Sequence, residues 1–84
     1  MIVVLLPAYN EEESLPALMP KLRIALEGMA ESYRVLVCDD GSSDRTREQL
    51  EGYAEEMPLE IIEHVINRGL GETSRDLFER AAEI

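Results

Sequence analysis

Three short segments carry the side chains capable of chemistry: Pro7-Ala8-Tyr9-Asn10-Glu11, Asp39-Asp40-Gly41-Ser42-Ser43-Asp44 and Asn67-Arg68-Gly69-Leu70-Gly71. In the first, Tyr9 offers a flat aromatic face to a base or ribose, and Glu11 offers acceptors to sugar hydroxyls or base N–H groups. The segment has no G-x-G-x-x-G, so the glycine cradle for a dinucleotide pyrophosphate is missing and an ordinary NAD site is disfavoured. Read blandly, the same residues turn the chain, and Glu11 to Glu13 favour a helix N-terminus through its dipole. The second segment sets two carboxylates side by side, which is costly unless each finds a partner. Asp40 is placed to read a base edge or a ribose while Asp39 holds the loop, and Ser43 and Asp44 read as an Asx turn and helix cap. The ligand spacing of a calcium loop is absent. In the third segment Arg68 is the single cation, and Gly69 and Gly71 let backbone N–H groups approach a phosphate at a helix start. Taken without the other two, that segment reads more simply as a glycine-rich helix entry with a solvated arginine. His64 reads as a lone structural histidine, and Cys38 as a small buried hydrophobe.

Each segment follows an apolar run that must position it. Ile2 to Leu6, closed by Pro7, and Arg34 to Cys38 are continuous β-branched and leucine runs, the pattern of parallel strands buried on both faces. Leu59 to Val65 is a weaker third strand approached through Pro58. Leu15, Leu18, Met19, Leu22, Ala25, Leu26 and Met29 recur at helical spacing between the first two strands. Leu50, Tyr53, Ala54 and Met57 mark a second helix, and Leu70, Thr73, Leu77, Phe78 and Ala81 a third, all reading as inner faces. The βαβαβα order implies a parallel sheet with right-handed crossovers, a three-layer Rossmann-like α/β half-domain. Ligands of such sheets sit beyond the carboxyl ends of the strands, where all three segments fall.

The 84 residues carry 18 Asp plus Glu against 8 Lys plus Arg, a net charge of -10. That balance repels phosphate backbones and anionic lipid and argues against nonspecific nucleic-acid binding. One cysteine excludes an intrachain disulfide and any multi-cysteine metal site, and fits a reducing, cytoplasmic setting. No apolar stretch approaches the ~20 residues that a membrane helix needs. A chain of this size buries only roughly 60 to 65% of its unfolded surface, so an unpaired sheet edge is a liability. Helical patterning still present at Ala81 to Ile84 suggests a cut inside a larger domain.

In order and spacing, L-L-P-A-Y-N-E-E-E, V-L-V-C-D-D-G-S-S-D-R-T and N-R-G-L-G resemble the amino-terminal part of family-2 glycosyltransferases, above all the dolichyl- or polyprenyl-phosphate mannosyltransferase type. The resemblance covers residues 1–84 and implies the nucleotide-binding part of a GT-A domain that transfers a sugar from a GDP- or UDP-sugar. It implies that Pro7, Ala8, Tyr9 and Glu11 line a nucleobase and ribose pocket, that Asp40 bonds the base, and that Asp39 supports its loop. Asn67, Arg68 and Gly71 match the third nucleotide-site loop. The family's D-x-D motif, which holds Mg²⁺ or Mn²⁺, normally lies on a later strand, and no Asp-x-Asp occurs in this sequence. Tight metal binding is therefore not expected here, nor turnover by these residues alone, since nothing would neutralise the departing diphosphate.

Two further expectations follow from that resemblance. Ile2 to Leu6 should present an open edge through which the chain forms a homodimer. A whole protein of this kind would work at the cytoplasmic face of a membrane. The competing reading is a noncatalytic Rossmann-like module that uses the same rim for another nucleotide or a protein, since fold alone does not decide function. A receiver-like signalling domain would share the acidic pair, but the third strand brings His64 and Asn67 rather than an evident phosphoacceptor.

Overall fold

Val35, Leu36, Val37 and Cys38 lose all contact with solvent, and their strand, Tyr33–Asp40, is the middle of the sheet. A computed structural model describes residues 1–84, in the order β1 (Ile2–Ala8), α1 (Leu15–Glu27), β2 (Tyr33–Asp40), α2 (Thr46–Ala54), β3 (Leu59–His64) and α3 (Leu70–Ala82). The strands pair in parallel in the order β1-β2-β3, with Val4 opposite Val35 and Asp40 opposite His64. Strand alternation sorts the core into two layers. Val35 and Val37 face α1 and α2 with Leu15, Met19, Leu26, Leu50 and Met57. Leu36 and Cys38 face α3, where Leu77 is their buried partner. The three-layer α/β reading is met.

Several boundaries and faces differ from the sequence expectations. β1 is half-buried rather than enclosed, because it is an edge strand with a neighbour on one side only. It also runs through Pro7 to Ala8, and an edge strand tolerates a proline. Asp39 and Asp40 belong to β2 itself, and β3 stops at His64, leaving Val65 and Ile66 exposed. Phe78 is not core: it is 67% exposed. Thr73, Leu77 and Ala81 make a narrow i, i+4, i+8 stripe toward the sheet, and Phe78, one residue on, turns about 100° away from it. Leu18, one residue before the buried Met19, is exposed for the same reason, and Met29 is exposed because α1 ends at Glu27, before reaching it.

The connections create a crevice. α1 leaves β1 toward one face of the sheet, whereas α3 leaves β3 toward the other and packs beneath β1 and β2. The loops after β1 and β3 therefore part above the carboxyl end of β2, which is where open α/β sheets bind ligands.

Candidate functional site

A cavity of about 310 Å³ occupies that crevice, lined by Pro7, Ala8, Tyr9, Glu11, Asp40, Asn67, Gly69, Leu70 and Thr73. Tyr9 stands 47% exposed at its mouth and makes no hydrogen bond within the chain. The Glu11 carboxylate is likewise unengaged, while its backbone N–H donates to Thr46 Oγ1 at 2.7 Å. An aromatic face and free carboxylate oxygens thus share one opening, with no cation in its wall.

The first two loops are tied by side-chain bonds. Asn10 adopts φ 50, a left-handed conformation that asparagine tolerates. Its backbone N–H donates to Ser42 Oγ at 3.0 Å, and its Oδ1 accepts from the Ser43 N–H at 2.9 Å. Asp44 accepts from the Thr46 N–H at 2.9 Å and from the Glu12 N–H at 3.3 Å. It makes the expected Asx turn but not the cap: the N-cap of α2 is Arg45, whose side chain caps nothing, and Asp44, one residue earlier, also fixes the start of the neighbouring segment. Burial acts to raise the Asp44 pKa, but these bonds outweigh it and hold the carboxyl below its ordinary value. Ser43 does not cap. Asp39, on the α1 and α2 side of β2, accepts from the Ser42 N–H at 3.2 Å, the loop-supporting role expected of it.

Asp40 organises the third loop. Its Oδ1 accepts from His64 Nδ1 at 2.8 Å and from the Arg68 N–H at 2.9 Å, and its Oδ2 accepts from the Gly69 N–H at 2.9 Å. Asn67 Nδ2 donates to the Asp40 carbonyl at 3.3 Å. Burial pushes the Asp40 carboxyl up, but the bonds from His64, Arg68 and Gly69 together prevail and keep its pKa below the ordinary value. A carboxylate accepts about four hydrogen bonds, so these three leave capacity on Oδ2, and Asp40 is among the residues that line the cavity. Gly69, at φ 94 and ψ 164, occupies a conformation open essentially to glycine alone.

Of the nine residues singled out, Pro7, Ala8, Tyr9, Glu11, Asp40 and Asn67 converge on the cavity. Asp39 lies behind it. The Arg68 guanidinium turns aside to Glu72, 3.6 Å away, and Gly71 lies on the exposed first turn of α3; neither lines the cavity. Gly69, Leu70 and Thr73 take that place, because α3 begins at Leu70 and projects its inner face downward from there. Sequence reasoning also missed the stitching roles of Asn10, Ser42 and Thr46, and it missed His64. The strand register held the signal for His64: parallel pairing of equal strand ends sets it opposite Asp40.

The chain's acidic residues do not compose a metal site. No group of three or more His, Cys, Asp or Glu side chains is gathered to hold an ion. The loop carboxylates of Asp39, Asp40 and Asp44 already accept from N–H donors, which a cation would have to displace. A divalent ion thus does not fit the residues present.

Known proteins share both pattern and fold. The family model for glycosyl transferase family 2 matches residues 3–82. The undecaprenyl-phosphate 4-deoxy-4-formamido-L-arabinose transferase of Serratia proteamaculans is 37% identical over 73 residues, which span 87% of this chain and 22% of that protein. Its counterpart from Enterobacter sp. is 39% identical over 71 residues, covering 84% of this chain and 22% of its own length. The chain therefore spans about a fifth of the curated relatives it matches. S. aureus TarS 1-349 in complex with UDP-GlcNAc superposes with a TM-score of 0.77 at 24% identity, over 94% of this chain and 23% of that one. The likeness to TarS establishes the GT-A type of fold. With a family match that runs through all three loops and both halves of the core, the chain belongs to glycosyl transferase family 2.

Proposed function

We propose that this chain supplies the nucleoside-binding part of the donor site in a nucleotide-sugar-dependent glycosyltransferase, which moves a sugar from a UDP- or GDP-sugar to a polyprenyl phosphate. The observation that carries the reading is the convergence of Tyr9, Glu11 and Asp40 on one cavity at the carboxyl end of the sheet. An aromatic face stacks on a base, and carboxylates accept from base N–H groups and ribose hydroxyls. A cavity wall without a cation suits the nucleoside end of the donor and not its diphosphate. The relatives' name, undecaprenyl-phosphate transferase, supports a polyprenyl-phosphate acceptor. Any Mg²⁺ or Mn²⁺ that the whole protein uses would be held by other residues, and the acceptor would place the work at the cytoplasmic face of a membrane. No helix of this chain is long and apolar enough to cross a membrane.

Calorimetric titration of the chain with UDP and with GDP tests the proposal. One of the two should bind, and Tyr9→Ala should weaken it ~10-fold, the effect of losing one stacked base. Tyr9 is half exposed, so its loss should leave the melting temperature nearly unchanged. Equal affinity of the variant and the parent chain would refute the stacking role.

The outer edge of β1 supports a second element of the proposal. Ile2–Ala8 pairs only with β2 and leaves its other backbone groups without strand partners. An apolar edge of this length recruits another strand, and a second copy is the simplest supplier. Sedimentation should detect a concentration-dependent dimer, and a monodisperse monomer at high concentration would contradict it.

A further inference from the structure

His64 ends β3 and is 7% exposed, wedged between two carboxylates on different elements. Its Nδ1 lies 2.8 Å from Asp40 Oδ1 on β2, and its Nε2 lies 2.6 Å from Asp76 Oδ2 on α3. The Cys38 thiol of β2 packs against the ring at 3.8 Å, and burial keeps it protonated. Arg75 reaches Asp76 at 3.7 Å from the solvent side. An ionised carboxylate only accepts hydrogen bonds, and a neutral imidazole has a single N–H. Both contacts can be satisfied only when both ring nitrogens carry protons.

We propose that His64 is a positioning residue which, as a doubly protonated imidazolium, joins Asp40 to Asp76 and so clamps the start of α3 against the nucleoside cavity, tightening ligand binding. The proposal rests on the nucleoside-site reading above. The clamp reaches the cavity by two routes. Asp40 holds the N–H groups of Arg68 and Gly69, and Asp76 lies on the helix whose first turn brings Leu70 and Thr73 into the cavity wall. The Asp40 and Asp76 hydrogen bonds raise the His64 pKa above its ordinary 6.5, against the opposing effect of burial. The Asp76 carboxyl is lowered, first by the same bond.

Loss of the second proton releases one partner. Asp40 is 5% exposed and tied by two backbone N–H groups, whereas the Asp76 side chain is 28% exposed. The neutral ring therefore keeps Asp40, and Asp76 turns to solvent, uncoupling α3 from the end of the sheet. Affinity should fall as pH rises through the raised pKa of His64.

The experiment pairs nitrogen-15 NMR of the His64 ring with titrations of UDP-GlcNAc, whose diphosphate diester keeps a constant charge from about pH 6 to about pH 9. Both ring nitrogens should carry protons at neutral pH, with a midpoint above the ordinary value. The Arg68 and Gly69 amide signals should share that midpoint, and the sugar nucleotide should bind ~5-fold or more tighter below it than above it. Asp76→Asn should lower all the midpoints, while His64→Gln should flatten the pH profile. A singly protonated ring at neutral pH, or amide signals indifferent to its titration, would overturn the clamp. Should UDP-GlcNAc not bind, a GDP-sugar takes its place in the titration; failure of both at every pH would sink the nucleoside reading and the affinity coupling with it, while the amide titration would still decide the clamp by itself.

Discussion

Gly41→Ala is expected to destabilise the chain by about 3 kcal/mol, from a left-handed backbone penalty of roughly 1–2 kcal/mol and overpacking of about 1–3 kcal/mol. Gly41 has φ +73, and an added Cβ would lie 2.4 Å from the Asn67 backbone nitrogen and 2.5 Å from the Ile66 carbonyl carbon. Those atoms are main chain and have no flexible end to give way. The loop after β3 would have to lift away from β2, breaking the Arg68 and Gly69 bonds to Asp40. Stability of this order is a large part of the whole for a small domain. Gly52→Ala is the control: that glycine lies inside α2 with nothing within 4 Å of the added carbon. It should gain about 0.5–1 kcal/mol. Urea denaturation checks both, and an unchanged midpoint for Gly41→Ala would show that loops two and three are not in backbone contact.

Asp40→Asn should cost a similar amount, about 1–3 kcal/mol, because it leaves a buried donor without its acceptor and leaves His64 with Asp76 as its one remaining carboxylate partner. The substitution keeps the shape but removes the charge and turns one of the two acceptor oxygens into an NH₂ donor, so either the Gly69 N–H, or His64 Nδ1 and the Arg68 N–H, lose their acceptor. The pH dependence of the parent chain follows from the same contacts. Asp40 and Asp76 have lowered values when folded, so their contribution is present above 3.8 and lost as pH falls through the folded values. His64 has a raised value, so its contribution is fully present below 6.5 and is lost as pH rises through the folded value. Stability should therefore peak between these flanks, and Asp40→Asn should flatten both. A parent chain whose melting temperature is level from acid to alkaline pH would contradict the buried network.

The architecture was legible because its signals are periodic. Two β-branched runs and three helical stripes leave little choice but a parallel α/β layer, and the loops after the strands must then share a rim. That Pro7, Ala8 and Asp40 meet at one cavity was legible for the same reason, since they sit at strand ends. What was not legible depends on orientation within a turn. Arg68 looked like the rim's cation, but its stem leaves the loop beside Glu72, and a charge 3.6 Å away along the helix surface claims it. Gly71 looked like part of a phosphate cradle, but the positive φ falls at Gly69, the non-helical residue just before α3, and Gly71 lies within the helix. Phe78 has the hydrophobicity of a core residue, and only the narrowness of the α3 stripe excludes it. His64 could be placed only by pairing two strands in register, since its partners lie 24 and 12 residues away in sequence.

The most direct measurement is an amide NMR titration of the chain with UDP and, separately, GDP. Saturable shifts confined to residues 7–11, the end of β2 around Asp40, and residues 67–73 are the expected result, with Glu11→Ala and Tyr9→Ala both weakening the effect while the spectrum otherwise stays that of the folded parent. Shifts scattered over the outer faces of α1 and α2, or none for either nucleotide at millimolar concentration, would contradict a nucleoside site at the carboxyl end of this sheet.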